Sequence, residues 1–141
     1  IQPTMYRAEL VAPMSNDLTN AGFESLHSPQ EVIDVLENQT GTALLVVNSV
    51  CGCAAANARP GVKIALQNDK QPAKLYTVFA GVDTDATAKA REFLLPYPPS
   101  SPAIALFKDG RLVHFLERHH IEGRSAMMIA ENLKAAFNDF C

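Results

Sequence analysis

The 141-residue chain has only three cysteines, no cluster of lysine or arginine, no long apolar run and no repeat or low-complexity segment. Each shortage excludes something. Cys51, Cys53 and Cys141 are too few and too unevenly placed to staple a disulfide-dense secreted scaffold, and any pairing leaves one over. A reducing, cytoplasmic setting is expected. Twelve basic residues stand against 15 acidic ones, a net charge of −3, so the counterion release that drives binding to a phosphate backbone has no source. Nucleic acid is not an expected partner. The longest apolar run, Ala43 to Val47, is far short of the ~20 residues that span a bilayer. Ile1 to Met14, broken by Arg7, Glu9 and Pro13, lacks the apolar core of a signal peptide. No membrane partner is expected either.

What is present is core material. Hydrophobic residues make up 48% and charged residues 19%, which argues for a packed domain rather than a disordered chain, and the length suits one core. Pro13 followed by Ala21-Gly22 predicts a short helix over Pro13 to Asn20. Ser28-Pro29-Gln30-Glu31 combines a serine cap, proline at the first helical position and a glutamate at the third, predicting a helix over Pro29 to Asn38 that buries Val32, Val35 and Leu36. Thr42 to Asn48 is continuously apolar rather than alternating, the pattern of a central strand covered on both faces.

After Cys51-Gly52-Cys53, the alanine-rich stretch from Ala54 carries a helical stripe through Val62, Ala65 and Leu66, and Pro60 inside it predicts a kink. A strand over Leu75 to Ala80, a helix from Asp83 or Thr84 to about Leu94, and a hairpin of Ala103 to Phe107 and Leu112 to Phe115 turning at Asp109-Gly110 follow. Ser125 caps a last helix to about Phe140, with Ile129, Leu133 and Phe137 on one face. This order predicts an α/β fold: a mixed four-stranded sheet, a parallel pair plus an antiparallel hairpin, between helices. Sites in open α/β sheets sit past the ends of central strands, where Cys51-Gly52-Cys53 falls.

Cys51-Gly52-Cys53 is the one constellation with chemical content. Two alternate cysteines approach bonding distance only if the residue between them bends sharply, which Gly52 permits. The ring so closed is small and strained, and a strained accessible disulfide passes its oxidising equivalents on readily. The following helix offers unpaired N–H groups and the positive end of its dipole, both of which stabilise a thiolate. Cys51, nearer the loop, is the candidate nucleophile and Cys53 the candidate resolving thiol. Two alternatives stay open. The pair can pack as small apolar side chains, or it can bind metal together with His114, His119, His120 or Cys141, although those histidines have no recognised ligand spacing. Arg59 reads either as a receptor for an anionic substrate or as a surface charge. His119-His120 reads as a proton shuttle or as loop caps, and Cys141 as a third redox thiol or a bystander. Pro102, which opens a strand, is by base rate a trans proline, since only about 5–6% of X–Pro bonds are cis.

Val47-Asn48-Ser49-Val50-Cys51-Gly52-Cys53-Ala54-Ala55, Ala58-Arg59-Pro60 and Leu66-Gln67-Asn68-Asp69-Lys70 closely resemble the bacilliredoxin family of bacterial proteins. The likeness runs on through Val78-Phe79-Ala80-Gly81, Ala86-Thr87-Ala88-Lys89, Ser100-Ser101-Pro102, Arg118-His119, Ile121-Glu122-Gly123 and the terminal Cys141. It implies one thioredoxin-like domain over 1–141, with 1–40 as an N-terminal helical extension. It also implies thiol–disulfide exchange with no cofactor or metal, on low-molecular-weight thiol disulfides or S-thiolated proteins, or as a disulfide isomerase. By the same resemblance Cys51 attacks, Cys53 is its partner, and Ser101-Pro102 is a cis-proline segment beside them. Ser101, Pro102, Gly52 and Arg59 make the expected substrate-binding set. Rival classes are a metal-binding module built on Cys51 and Cys53 and a non-catalytic thioredoxin-like adaptor. The one-residue spacing, Val50 in place of an aromatic neighbour and the absence of tryptophan depart from the wider thioredoxin pattern. No acidic residue on the strand leading to Cys51 is available to take a proton from the second thiol.

Overall fold

A computed structural model describes residues 6–141, so the opening of the Ile1 to Met14 stretch read for a signal peptide lies outside the described residues. The continuous apolar run becomes β2 (Thr42–Asn48), buried at every position. Its alternate side chains explain the pattern. Leu44 and Val46 enter one core with Leu18, Val62, Ile129, Leu133 and Phe137, while Leu45 and Val47 enter a second with Val32, Leu36, Val78, Ala86 and Ala90. A strand with a core on each face has no room for polar alternation.

β2 lies between β3 (Lys74–Phe79), to which it is parallel, and β4 (Ala103–Lys108), to which it is antiparallel. β4 turns at Asp109-Gly110, both with positive φ, into β5 (Arg111–Leu116). The sheet has five strands where four were expected, because β1 (Glu24–Ser25) adds itself parallel to the outer edge of β3, giving the order β1-β3-β2-β4-β5. Two residues show no periodicity, so only the pairing reveals them.

The helices differ from expectation at their ends. α1 (Ala8–Thr19) starts a turn before Pro13, which sits inside it. The missing proline N–H leaves the carbonyl of Glu9 without its helical donor, on an exposed turn open to solvent. α2 (Pro29–Leu36) stops short of Asn38, whose φ is +60°. Its cap is the expected one, with the Ser28 hydroxyl accepting the Glu31 N–H at 3.2 Å, but the Glu31 carboxylate reaches the N–H of His27 rather than that of the cap.

Where a kink was expected at Pro60, the helix carries a wide turn. Helical backbone runs from Gly52 through a π-turn at Ala54–Ala58 into α3 (Arg59–Ala65), and the Arg59 N–H donates to the Ala54 carbonyl five residues back. The wide turn is placed just ahead of Pro60, the residue that has no N–H to give. α4 (Thr84–Glu92), the single turn α5 (Arg118–Ile121) and α6 (Ala126–Phe140) complete the chain. α6 buries Ile129, Leu133 and Phe137, as its spacing predicted. Among the described residues no helix is long and apolar enough to cross a membrane.

Candidate active site

The site is built at the C-terminal end of β2, where the apolar run gives way to two buried polar residues, Asn48 and Ser49. The Asn48 Oδ1 accepts the Ser49 N–H at 2.8 Å, and its Nδ2 donates to the Met14 carbonyl of α1 at 3.2 Å. The Ser49 hydroxyl accepts the Cys51 N–H at 3.1 Å. The Cys51 carbonyl receives the amides of Ala54 and Ala55, so the helix starts within the motif.

Cys51 and Cys53 are both half-buried free thiols. For Cys51, burial pushes the pKa up, but hydrogen bonds to its sulfur from the Cys53 thiol, the Ser49 hydroxyl and the amides of Ala54 and Cys53 outweigh it, and the net direction is down. Cys53 moves the other way. Burial raises it, donation to Cys51 and the Cys51 negative charge raise it further, Glu122 adds to this, and only Arg118 opposes.

Ala103 of β4 pairs with Val47, so the Ser100-Ser101-Pro102 segment arrives at the same end of the sheet as the cysteines. The Ser101–Pro102 bond is cis, as the resemblance implied and against the base rate, and so is Leu95–Pro96, which sequence reading did not single out. Arg118 connects the two parts. Its amide donates to the Ser100 hydroxyl at 3.3 Å, its Nη1 to the Ser101 carbonyl at 3.1 Å, its Nε pairs with Glu122, and its charge is felt by Cys53. The carbonyl of Ser101 is thus already engaged within the protein.

The structure also places three other candidate residues. Arg59 is not a surface charge. It is 5% exposed, its Nη1 donates to Asn48 Oδ1 at 2.9 Å and to the Ser49 carbonyl at 3.0 Å, and its Nε lies 3.5 Å from the Asp17 carboxylate, so it is not open to receive an anionic substrate. Gly52 has no positive φ in the dithiol form and a Cβ there would meet nothing within 4 Å, so this form makes no demand on glycine. Cys141 is exposed at the end of α6, next to Thr42 at the opposite end of β2. At about 3.3 Å of rise per residue the strand puts roughly 20 Å between them.

That separation carries a prediction. Cys141→Ser is expected to leave exchange with small disulfides within about threefold of the unaltered chain, a barrier change below ~1 kcal/mol. Steady-state rates on hydroxyethyl disulfide measure it, and a larger loss would bring Cys141 into the chemistry.

The residues of the metal alternative are not gathered. Among the described residues the one grouping of potential ligands is Glu117, His119 and His120, with ligand atoms within 4.8 Å of one another and no cysteine among them. The Nδ1 of His120 accepts the Glu117 N–H at 3.0 Å, capping α5, so in the neutral ring its Nε2 carries the proton and has no lone pair to offer. His114 is held by Asn132 at 2.6 Å. Sequence reasoning missed Asn48, Ser49, Asp17 and Arg118 as parts of the site. Only the first two left a signal, as polar residues closing a strand otherwise apolar.

A family model described as disulphide isomerase matches residues 6–141. A bacilliredoxin of Cytophaga hutchinsonii is 61% identical over 135 residues, covering 96% of this chain and 99% of that protein. Bacilliredoxins of Halalkalibacterium halodurans (49% over 136 residues, 96% and 94% covered) and Staphylococcus epidermidis (46% over 137 residues, 97% and 94% covered) are similar to it as well. Mitochondrial thioredoxin 3 of Saccharomyces cerevisiae, in its oxidised form, superposes with a TM-score of 0.58 at 15% identity, covering 87% of this chain and 98% of that one. A thioredoxin of Malassezia sympodialis gives 0.55 at 16% identity, with 84% and 90% covered. The last two show the fold alone, which is that of thioredoxin.

Proposed function

The chain belongs to the bacilliredoxin family, whose thioredoxin fold serves thiol–disulfide oxidoreduction, and we propose accordingly that Cys51 is the attacking thiol on mixed disulfides of proteins or of a low-molecular-weight thiol. One observation carries the reading: Cys51 lies between the end of buried β2 and the head of the following helix, its N–H held by the Ser49 hydroxyl at 3.1 Å and its carbonyl by the Ala54 and Ala55 amides, in surroundings that lower its thiol pKa while those of Cys53 raise it. The Cys51 thiolate attacks one sulfur of the substrate, a Cys51–S bond forms as the substrate S–S bond breaks, and the other half leaves as a thiolate. Cys53, deprotonated, then attacks the Cys51 sulfur, closing Cys51–Cys53 and releasing the bound thiol. The substrate is reduced and the protein dithiol oxidised. An external thiol attacking the Cys51 adduct instead returns the dithiol, and release of a protein thiol able to attack again amounts to disulfide isomerisation.

The same arrangement times the second step. In the free protein the Cys51 thiolate holds the Cys53 proton in place through its charge and as hydrogen-bond acceptor. Once Cys51 is in a mixed disulfide that charge is gone, both effects lapse, and Arg118 favours the Cys53 thiolate when it is needed. No acidic neighbour has to take the proton; solvent suffices for a half-buried group.

A reducing cytoplasm suits a reactive dithiol kept ready. One thioredoxin-like unit, with residues 1–40 as an N-terminal extension, is supported by the contacts of Met14 and Asp17 with the site.

The alkylation of each thiol against pH tests the assignment. The coupled pair titrates in two steps. In a Cys141→Ser chain the first alkylation is expected on Cys51, with a midpoint below the ~8.5 of a free thiol. Because the Cys51 value is lowered, its reactivity persists as pH falls toward neutrality and disappears only below that midpoint. A first midpoint at or above the free value, or first labelling on Cys53, would remove the assignment. Reacting the reduced protein side by side with the disulfides of bacillithiol, glutathione and coenzyme A identifies the small thiol.

A further inference from the structure

Arg59 is a buried cation that thiol exchange as written above does not use. A guanidinium with 5% exposure is costly unless its charge and donors are met. Its Nη1 is met by Asn48 Oδ1 and the Ser49 carbonyl. Its Nε is buried without a hydrogen-bond partner, 3.5 Å from an Asp17 carboxylate that Lys63 also holds, at 2.6 Å. Two cations therefore share one carboxylate. The other anion that Arg59 senses is the Cys51 thiolate.

The bonds around Ser49 give this charge a mechanical sense. Ser49 is gripped at both ends of its backbone, its N–H by Asn48 and its carbonyl by Arg59, and Asn48 is itself held by Arg59 and by the Met14 carbonyl. With the backbone fixed, the Ser49 hydroxyl accepts the Cys51 N–H at 3.1 Å and lies against the Cys51 thiol, whose pKa it lowers. We propose that Arg59 is a positioning residue for the attacking thiol, clamping Asn48 and Ser49 so that the Ser49 hydroxyl is presented to the Cys51 sulfur, with α1 completing the clamp through Met14 and Asp17. This rests on the reading of Cys51 as the attacking thiol.

The test is the pH midpoint of Cys51 alkylation, with the label located by peptide mass spectrometry, in the full chain carrying Arg59→Met, Arg59→Lys, Ser49→Ala or Arg59→Met with Ser49→Ala. Loss of the clamp removes a hydrogen bond to the charged form, so Arg59→Met is expected to raise the midpoint by about one pH unit, a roughly tenfold drop in thiolate at pH values below it. Exchange at neutral pH slows accordingly and recovers above the new midpoint, which a merely structural role would not produce. Ser49→Ala moves the midpoint the same way, and the double variant moves it no further than Arg59→Met alone, because the two act in series. Arg59→Lys keeps the charge but cannot hold both acceptors, and gives an intermediate value. Additive shifts, or an unchanged midpoint in Arg59→Met, would overturn the proposal. Should Arg59→Met not fold, Arg59→Lys decides, since a wild-type midpoint there means that charge alone suffices and no clamp exists. Labelling that stays on Cys51 throughout separates failure of this inference from failure of the Cys51 assignment.

Discussion

Cys51→Ser is expected to abolish exchange, by about three orders of magnitude or more, because it removes the thiol whose surroundings favour the thiolate. A serine hydroxyl in the same nest of donors stays protonated, and the amides of Cys53 and Ala54 then have no thiolate to serve. Cys53→Ser should behave in the opposite sense. The first attack survives, but nothing closes on the adduct, so a mixed disulfide accumulates on Cys51. The residual attack is somewhat slower than in the intact chain at neutral pH, since the thiol donor from Cys53 becomes a hydroxyl in altered geometry. Intact-protein mass spectrometry after mixing with glutathione disulfide reads both results directly. An adduct on Cys53 in Cys51→Ser, with none on Cys51 in Cys53→Ser, would reverse the two roles.

The second large effect is on stability and comes from Gly61, where α3 crosses α6. A Cβ placed there would lie 2.7 Å from Ile129 Cγ2, 2.9 Å from Ile129 Cβ and 3.1 Å from the Ala126 carbonyl oxygen. Isoleucine is β-branched and stiff at χ1, and the carbonyl belongs to the first turn of α6, so neither neighbour yields cheaply. Alanine's gain in helix propensity of about 1 kcal/mol is therefore overridden by overpacking that typically costs ~1–3 kcal/mol. Gly61→Ala is expected to lower the melting temperature by several degrees, at about 3 °C per kcal/mol for a chain of this size. Trimming the obstruction with Ile129→Ala in the Gly61→Ala background should cost less than Ile129→Ala does alone. A melting temperature for Gly61→Ala at or above that of the unaltered chain would show that the helices can separate freely. Since α3 begins at Arg59, the same close approach holds the clamp residue where it meets Asn48 and Ser49.

Much of this architecture was legible in one dimension because each signal acts within a few residues. A run of seven residues with no solvent-facing member, Thr42 to Asn48, can only be a strand between two cores. Ser28 and Ser125 announce helix starts because orphan amides need an acceptor within three residues, and both caps form. Asp109-Gly110 turns the hairpin because both positions take positive φ. The location of Cys51-Gly52-Cys53, past a buried strand and at the head of a helix, follows from the same local reading. The two-residue β1 and the one-turn α5 were beyond it, since neither is long enough to show a period.

The electrostatics of the site belong to the tertiary structure. Arg59 reads as a substrate receptor or a surface charge until α1 brings Asp17 and Met14 against α3 and the end of β2. Arg118 is one more charged residue after a strand until β5 delivers it to the carbonyl of Ser101. Cys141 can be counted with the other thiols in sequence, yet α6 returns it to the wrong end of the sheet. Order along the chain was enough to establish which residues carry sulfur, which strand is central and where the reactive loop lies, because caps, turns and apolar periods are short-range. The opposite pKa directions of Cys51 and Cys53 were decided on folding, because they depend on the burial and hydrogen bonds of groups drawn from separate elements, and no local pattern records how those elements pack.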